Sequence, residues 1–246
     1  MTPLRNVAVV LAGGTGTRVG LSIPKQLIVI AGKPIIEHAI AALQLSPLVD
    51  EIVVLMASGY LDEVRSIVGS GGYDKVSQIL PGAGTRNAST VAALAALGEQ
   101  DCNVLLHDAA RPLVSQAIIA ANVEALRHFE AVSTAIPSAD TVIKVSADLQ
   151  TMADVLPRHL LRRVQTPQSF RLSTIRAAYA RAAQDPDFTA TDDATVVLRY
   201  LPDVAIAVVP GDERNLKVTG PVDVYLADKL LQLTPAELTG QRPEEE

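Results

Sequence analysis

Three glycines and two cations lie close together near the start of the chain, in the segment AGGTGTRVGLSIPK. Gly13, Gly14 and Gly16 have no Cβ, so the backbone N–H groups around them can approach an anion closely. Arg18 and Lys25 follow on a short loop, and two cations beside such a turn could hold a polyphosphate. The spacing differs from the dinucleotide fingerprint, and the Walker A ending Gly-Lys-Ser/Thr does not follow. The alternatives are a tight strand-to-helix turn for the glycines and a solvated surface position for the lysine.

Two further segments carry charged residues of the types that bind metal ions and phosphate. In HDAARP, Asp108 could bind Mg²⁺, which usually takes one or two carboxylates together with substrate phosphates. Arg111 would suit a second anionic group. Lys217 lies in the apolar run NLKVT, where a lysine usually needs an anionic partner. The alternative for Asp108 is a helix N-cap, and we interpret His107 as a packing residue rather than a catalyst.

The elements that must position these residues alternate between apolar runs and segments of helical period. The pattern predicts strands at 7–11, 52–56, 76–80 and 103–107, and helices at 33–43, 60–68, 88–97 and about 115–128. Apolar runs separated by helices are typical of parallel strands that are buried on both faces. We therefore expect a doubly wound, mostly parallel α/β sheet, with the polar loops meeting at the carboxyl ends of its strands.

The pattern changes between about 139 and 165, where weak alternation and Asp-rich turns predict a projecting β-arm. After the arm we expect helices at 173–183, 192–200 and 221–233, and strands at 204–209 and 215–219. We expect one domain over 1–233, followed by an acidic, Pro-containing tail at 234–246 that is mobile.

Composition excludes several classes of protein. The formal net charge is −6, whereas a nucleic-acid-binding surface would show an excess of clustered Lys and Arg. The single cysteine, Cys102, excludes an intramolecular disulfide and a multi-cysteine metal site, and it fits a reducing compartment. No signal peptide is evident, and no apolar run reaches about 18 residues. We expect a cytoplasmic protein that acts on small molecules and binds neither nucleic acid nor membranes.

The order of the motifs resembles one family closely. AGGTGTR…PKQ, GAGTRNAST, HDAARP, ADTV, QTPQSF, TDDA and NLKVTGPVD follow one another as in the cytidylyltransferases that act on sugar-alcohol phosphates. This group comprises the 2-C-methyl-D-erythritol 4-phosphate and the ribitol-5-phosphate cytidylyltransferases. The resemblance spans roughly residues 6–232. It implies a Rossmann-like nucleotidyltransferase fold, CTP as a substrate, Mg²⁺ and a homodimer.

The resemblance also implies a role for individual residues on the nucleotide side. CTP would be lined by Ala12, Gly13, Gly14 and Gly16, and its cytosine and ribose would be contacted by Gly84 and Ser89. Arg18 and Lys25 would clasp the phosphates and stabilise the pentavalent α-phosphorus. Asp108 would contact the nucleotide through Mg²⁺, and Lys217 would add charge at the α-phosphate.

On the acceptor side, the resemblance implies that the alcohol's phosphate lies near Arg111, Thr141 and Thr166. Arg158 lies on the arm, and in this family such an arginine reaches the site of the neighbouring subunit. The arm itself predicts a dimer by arm exchange, because a projecting hairpin buries little surface alone and is stabilised by crossing a twofold partner.

The choice of acceptor depends on small differences within the family. Many methylerythritol members have Ala-Ala-Gly where this chain has Ala12-Gly13-Gly14, and their middle loop differs from the stretch 84–87 here. These features and QTPQSF favour D-ribitol 5-phosphate, whereas HDAARP favours 2-C-methyl-D-erythritol 4-phosphate. We expect the ribitol phosphate and keep the methylerythritol phosphate as the alternative.

Two more distant hypotheses remain at this point. One is a hexose-1-phosphate nucleotidylyltransferase that uses UTP or dTTP. The other is a non-catalytic nucleotide-binding module, which predicts the loss of at least one of the residues Arg18, Lys25, Asp108 and Lys217. The sequence retains all four.

Overall fold

The structure, a computed structural model, describes residues 4–13 and 23–233 of the 246-residue chain. The predictions for Gly14, Gly16, Arg18 and the tail at 234–246 therefore lie outside the described residues. The described residues form seven α-helices: α1 (Ile35–Gln44), α2 (Leu61–Gly71), α3 (Arg86–Ala96), α4 (Gln116–Ala125), α5 (Leu172–Ala182), α6 (Asp193–Tyr200) and α7 (Pro221–Gln232). They also form the strands β1 (Asn6–Ala12), β2 (Val29–Ile30), β3 (Lys33–Pro34), β4 (Glu51–Met56), β5 (Val76–Pro81), β6 (Asn103–Asp108), β7 (Ala131–Pro137), β8 (Ile143–Val145), β9 (Met152–Val155), β10 (Arg162–Arg171) and β11 (Ile206–Pro210).

Seven strands form the central sheet in the order β11-β7-β10-β6-β1-β4-β5. β6, β1, β4 and β5 run parallel to one another, and β11 runs parallel to β7. β10 is antiparallel to both of its neighbours, β6 and β7. The prediction of a mostly parallel α/β sheet is confirmed.

Helices cover both faces of this sheet, and each face has its own core. On one face, α1, α2 and α4 pack on the strands through Ile40, Val64 and Ile119. On the other face, α3, α5 and α6 contribute Leu94, Ile175 and Val197. Because both faces are covered, the central parallel strands β1 and β4 are largely apolar rather than alternating, which makes their sequence pattern informative.

Two strands of the main sheet, β7 and β10, were not predicted, and the arm was predicted too long. Residues 162–165 belong to β10, and the projecting part is the exposed hairpin β8–β9 with the turns beside it. β10 was missed because its middle carries buried polar residues, among them Gln165, Thr166 and Gln168. Its pairing register with β7 shifts between Val164 and Gln168, so this stretch bulges at the edge where the site lies.

The prediction of a strand at 215–219 is wrong. This segment crosses the carboxyl ends of the strands as an irregular chain, and its Val218 N–H donates to the carbonyl of Ala110 at 2.8 Å. Leu216 and Val218 are apolar because they pack in the small core that α1 and α7 share, not because they belong to a sheet.

The described residues include no helix with the length and apolar character needed to cross a membrane.

Candidate active site

A polar pocket lies at the carboxyl ends of β1 and β6, where the topology brings distant parts of the chain together. It is lined by Leu11, Gly13, Lys25, Gln26, Arg86, Ser89, Asp108, Ala110 and Lys217. Of the described residues that line it, three are cations and one is a carboxylate. Such an imbalance suits a ligand of high negative charge. We refer to it below as the nucleotide pocket.

Asp108 lies at the end of β6 between two of these cations. Its Oδ1 accepts from Arg86 Nε at 3.0 Å, and its Oδ2 accepts from Lys217 Nζ at 2.7 Å. Burial disfavours the charged carboxylate, but the attraction of Arg86 and Lys217 outweighs it and holds the pKa of Asp108 well below its usual range. Asp108 is therefore an anion at neutral pH, and it supplies the anionic partner expected for Lys217.

Thr166 supports the backbone of Asp108, and His107 contacts the same hydroxyl. The Asp108 N–H donates to Thr166 Oγ1 at 3.0 Å, and His107 Nδ1 lies 3.1 Å from the same oxygen. Burial lowers the pKa of His107 to about 4, so its imidazole is neutral at physiological pH. His107 is fully buried, which agrees with a packing role.

Arg111 connects three loops of the site. Its Nη1 donates to the carbonyl of Asn215 at 2.7 Å, and its Nη2 donates to the carbonyl of Val164 at 3.3 Å. Only Nε lacks a hydrogen-bond partner within the described residues. Arg111 thus holds the segment that carries Lys217 against β10. Its predicted contact with the acceptor, like that of Thr166, stays a prediction.

Lys25 and Lys217 are linked through the same crossing segment. Lys25 begins a short 3-10 turn over Lys25–Leu27, and its Nζ donates to the carbonyl of Val218 at 2.9 Å. The two lysines therefore reach the nucleotide pocket from distant parts of the sequence, and the hydrogen bond from the Lys25 side chain to the Val218 carbonyl links their segments.

The loop after β5 contacts the end of β1 closely. Ser89 Oγ donates to the carbonyl of Thr85 at 2.8 Å and accepts from the Ala83 N–H at 3.1 Å. Gly84 has φ of +80°, a conformation that favours glycine. A Cβ built on Gly13 would lie 2.8 Å from Ser89 Oγ and 3.2 Å from Gly82 Cα, so position 13 leaves little room for a side chain.

Thr141 and Arg158 lie on the arm and are not among the residues that line the nucleotide pocket. Both are exposed, and Arg158 Nη1 donates to the carbonyl of Ala139 at 3.3 Å. Their predicted roles toward the acceptor stay predictions.

A second and larger pocket, of about 600 Å³, shares Arg111 and Lys217 with the site. Its other lining residues are Ile136, Arg163, Val164, Gln165, Glu213, Arg214, Leu216, Leu226 and Leu230. It combines a cationic side next to Lys217 with an apolar wall. We refer to it as the side pocket.

The residues of the nucleotide pocket fit a magnesium ion only together with a phosphate ligand. Asp108 has lone pairs left beyond its two contacts, but Arg86 and Lys217 neutralise its charge. The described residues contain no cluster of three or more His, Cys, Asp or Glu side chains that could bind a metal unaided. A divalent cation held here would need the phosphate oxygens that Mg²⁺ usually takes as ligands.

Arg86 was not assigned a role from the sequence, although the segment GAGTRNAST was recognised as a loop at this edge. The signal that could have found it is its place at the start of the helix that follows β5, at the sheet edge where the carboxyl ends of the strands meet and ligands bind. Its second partner, Asp193, is 107 residues away and no spacing rule connects the two.

A substitution at Gly13 tests the close approach of the two loops. We expect Gly13→Ala to lower the free energy of unfolding by about 1–3 kcal/mol, because the new methyl group meets the Ser89 hydroxyl. Ser89→Ala removes that oxygen, so the double variant should lose less stability than the sum of the two single variants. Urea unfolding of the four proteins measures the coupling, and strictly additive losses would contradict the contact. Gly69→Ala serves as the control, since its Cβ meets no heavy atom within 4 Å.

Comparisons with known proteins agree with this architecture. The model of the 2-C-methyl-D-erythritol 4-phosphate cytidylyltransferase family matches residues 6–233. The enzyme of that name from Thermobifida fusca is 50% identical over 93% of this chain and 94% of its own length. A bifunctional ribulose 5-phosphate reductase/CDP-ribitol pyrophosphorylase of Haemophilus influenzae is 37% identical over 94% of this chain and 49% of its own length. The crystal structure of 4-diphosphocytidyl-2C-methyl-D-erythritol synthase from Anaerococcus prevotii, 28% identical, superposes with a TM-score of 0.83 over 94% of this chain and 99% of that one. The chain belongs to the 2-C-methyl-D-erythritol 4-phosphate cytidylyltransferase family, and it is a CTP-dependent nucleotidyltransferase.

Proposed function

We propose that this enzyme transfers CMP from CTP to 2-C-methyl-D-erythritol 4-phosphate and releases pyrophosphate. The observation that carries the proposal is the 50% identity to the Thermobifida fusca enzyme of that name, against 37% to the Haemophilus influenzae protein named for CDP-ribitol. The expectation of ribitol 5-phosphate is not supported by these relatives. It relied on Gly13, on the stretch 84–87 and on QTPQSF. Gly13 and Arg86 line the nucleotide pocket, so the first two of these features carry little information about the acceptor.

The side pocket supports the same acceptor. It is lined by Lys217, Arg111 and Gln165, and also by apolar side chains that include Leu216, Leu226 and Leu230. An acceptor that carries both a phosphate and a methyl-substituted carbon suits this surface, because the cations can bind the phosphate and the leucines can contact the methyl group.

The reaction in this proposal is an in-line displacement at the α-phosphorus of CTP. An oxygen of the acceptor's phosphate forms the new P–O bond, the bond between the α-phosphorus and the bridging oxygen breaks, and pyrophosphate leaves with that electron pair. The attacking oxygen is already anionic, so no general base is required. The protein then contributes positioning and charge neutralisation, for which Lys25 and Lys217 both line the nucleotide pocket. Arg18 is proposed to act with them.

Asp108 is the residue that would hold Mg²⁺ together with the phosphates of CTP. The ion would supply further neutralisation of the negative charge on those phosphates. Arg86 and Lys217 keep Asp108 ionised at neutral pH, which is the form in which a carboxylate can serve as a ligand of a metal ion. Ala12, Gly13, Gly84 and Ser89 are proposed to surround the nucleoside.

We further propose that residues 1–233 act as one domain whose arm joins two copies of the chain. The arm exposes an unusual number of large apolar side chains, with exposed fractions between 36% and 76%: Val142, Ile143, Val145, Leu149, Met152, Val155, Leu156 and Leu160. A two-stranded hairpin is marginally stable on its own, and so many exposed apolar side chains on one projecting element indicate an interface. Crossing a twofold axis would cover these side chains and bring Arg158 to the partner's site.

The choice of substrates can be measured directly by pyrophosphate release. With Mg²⁺ and CTP we expect turnover of 2-C-methyl-D-erythritol 4-phosphate, and a kcat/KM for ribitol 5-phosphate that is lower by about 10-fold or more. The same assay with UTP or dTTP tests the nucleotide. Preference for ribitol 5-phosphate would overturn the proposed acceptor, whereas turnover with UTP or dTTP but not CTP would overturn the whole assignment.

Removal of the Lys25 ammonium tests the proposed charge neutralisation. We expect Lys25→Ala to lower kcat on the order of 10²–10³-fold, the usual effect of losing one preorganised charge contact to a transition state. Lys33→Ala is the matched control, because Lys33 is an exposed lysine that pairs with Glu37 outside the nucleotide pocket. A kcat for Lys25→Ala close to that of the control would refute the role.

Mixing of inactive variants tests the arm. In an arm-exchanged dimer, each site takes Lys217 from one subunit and Arg158 from the other. A mixed dimer of Arg158→Ala and Lys217→Ala therefore contains one intact site, and random pairing after coexpression should restore about a quarter of the wild-type activity. Coexpression of Lys25→Ala with Lys217→Ala is the control. Those two residues come from the same subunit, so no intact site can form. A monomer in light scattering, or equal activity in both mixtures, would contradict arm exchange.

A further inference from the structure

The contact between Arg86 and Asp108 is held from behind by a second carboxylate. Arg86 Nη1 lies 2.6 Å from Asp193 Oδ2, while Arg86 Nε donates to Asp108 Oδ1 at 3.0 Å. The side chain of Asp193 is completely buried, at the first position of α6. A single guanidinium thus bridges a carboxylate in the nucleotide pocket and one in the protein interior.

Asp193 is itself fixed in place from two sides. Its Oδ1 accepts from the Tyr179 hydroxyl at 2.6 Å. Its own N–H and that of Ala194 both donate to Gln168 Oε1 at 3.0 Å, and Gln168 is a fully buried residue of β10. The carboxylate therefore cannot follow Arg86 if the arginine moves.

The network runs from Lys217 through Asp108 and Arg86 to Asp193, and it contains two cations and two anions. The planar guanidinium of Arg86 presents N–H groups in fixed, different directions, so it can contact both carboxylates at once. Without the charge of Asp193, nothing in this network would keep the guanidinium from turning further toward Asp108. It would then compete with Lys217 for the same carboxylate.

We propose that Asp193 and Arg86 are positioning residues for nucleotidyl transfer, which rests on the role proposed above for Asp108. Asp193 holds Arg86 so that the arginine reaches Asp108 through Nε alone. The second oxygen of Asp108 is thereby left to Lys217, and the carboxylate keeps the orientation that the bound triphosphate requires. Neither Asp193 nor Tyr179 is among the residues that line the nucleotide pocket, so their effect is indirect.

Asp193→Asn tests this role because it keeps the shape of the side chain and removes its charge. We expect kcat to fall by about 10- to 100-fold, the usual cost of a small misplacement of catalytic groups. The KM for CTP should change by less than about threefold, since Lys25 and Lys217 still contact the phosphates and a tenfold change would require a full 1.4 kcal/mol. Both constants are measured well below the melting temperature of each variant. Tyr179→Phe leaves the charge in place and should change kcat by less than about threefold.

A control arrangement exists between α6 and the turn that follows α5. Asp185 accepts from Arg199 Nη2 at 2.8 Å and from the Tyr200 hydroxyl at 2.6 Å, so it repeats the Arg–Asp–Tyr arrangement away from the nucleotide pocket. Asp185→Asn should lower the melting temperature and leave kcat unchanged. An equal loss of kcat in Asp185→Asn and Asp193→Asn would overturn the proposal, because it would show a general effect of α5–α6 packing.

A spectroscopic measurement separates positioning from folding. The Nε–H resonance of Arg86 in nitrogen–proton spectra reports its hydrogen bond to Asp108, and the loss of that resonance in Arg86→Lys assigns it. We expect Asp193→Asn to shift or broaden this resonance and Asp185→Asn to leave it in place. An unchanged resonance in Asp193→Asn would overturn the proposal.

Two further variants keep the test decisive if Asp193→Asn does not fold. Arg86→Lys preserves the charge but has a single ammonium that cannot reach both carboxylates. Its kcat should therefore fall by a factor similar to that of Asp193→Asn. A wild-type kcat in Arg86→Lys would overturn the inference. Asp108→Asn separates the role proposed for Asp108 from the positioning role proposed for Asp193. A normal kcat in Asp108→Asn would refute the role proposed for Asp108 and this inference with it. Impaired Asp108→Asn beside normal Asp193→Asn would refute the inference alone.

Discussion

The ionised carboxylate of Asp108 and its two cations hold the site together. Asp108 is buried at the end of a central strand, and a buried charge is tolerated only when it is paired and hydrogen-bonded. Arg86 supplies that pairing from the start of α3, and Lys217 supplies it from the segment after β11. Removing either cation would leave the buried Asp108 carboxylate with one partner fewer, so these segments are tied to the sheet by the same contacts that prepare the pocket for an anion.

The sheet topology explains why these residues can meet. β6 lies in the centre of the sheet, with β1 on one side and the antiparallel β10 on the other. β1 presents its carboxyl end beside Asp108, and the bulge of β10 presents Thr166 to the backbone of the same residue. The polar middle of β10 would be costly inside an all-apolar sheet. Here its polar side chains have hydrogen-bond partners. Gln168 accepts from the backbone at the start of α6, and Gln165 donates to the loop that leads to Lys217.

Much of the fold could be predicted because parallel strands covered on both faces are apolar along their whole length. The central strands β1, β4 and β6 were predicted to within about a residue of their ends for this reason. The strand β10 was missed because buried polar residues interrupt the pattern on which such predictions depend. The segment 215–219 was predicted as a strand because packing against α7 produces the same alternation as pairing in a sheet.

The site could be predicted only in part, for a different physical reason. Charged residues in loops after strands identified Asp108, and an isolated lysine in an apolar run indicated that Lys217 needs an anion. That each is the other's partner could not be predicted from spacing, because 109 residues separate them. The same holds for Asp193, which looks in the sequence like an ordinary residue of a helix N-terminus. Long-range pairing between charges is a property of the folded topology.

The crossing segment that carries Lys217 has a consequence for the synthesis of the chain. Every strand of the central sheet is complete by Pro210, and Lys217 follows the last of them. Val218 then accepts a hydrogen bond from Lys25 and donates one to Ala110 in the loop after β6. A ribosome-bound chain that has exposed all of its strands but not this segment would have its sheet without its second cation on Asp108. The catalytic arrangement is therefore among the last parts of the domain that can form, and an active molecule is one whose chain has been translated past residue 218.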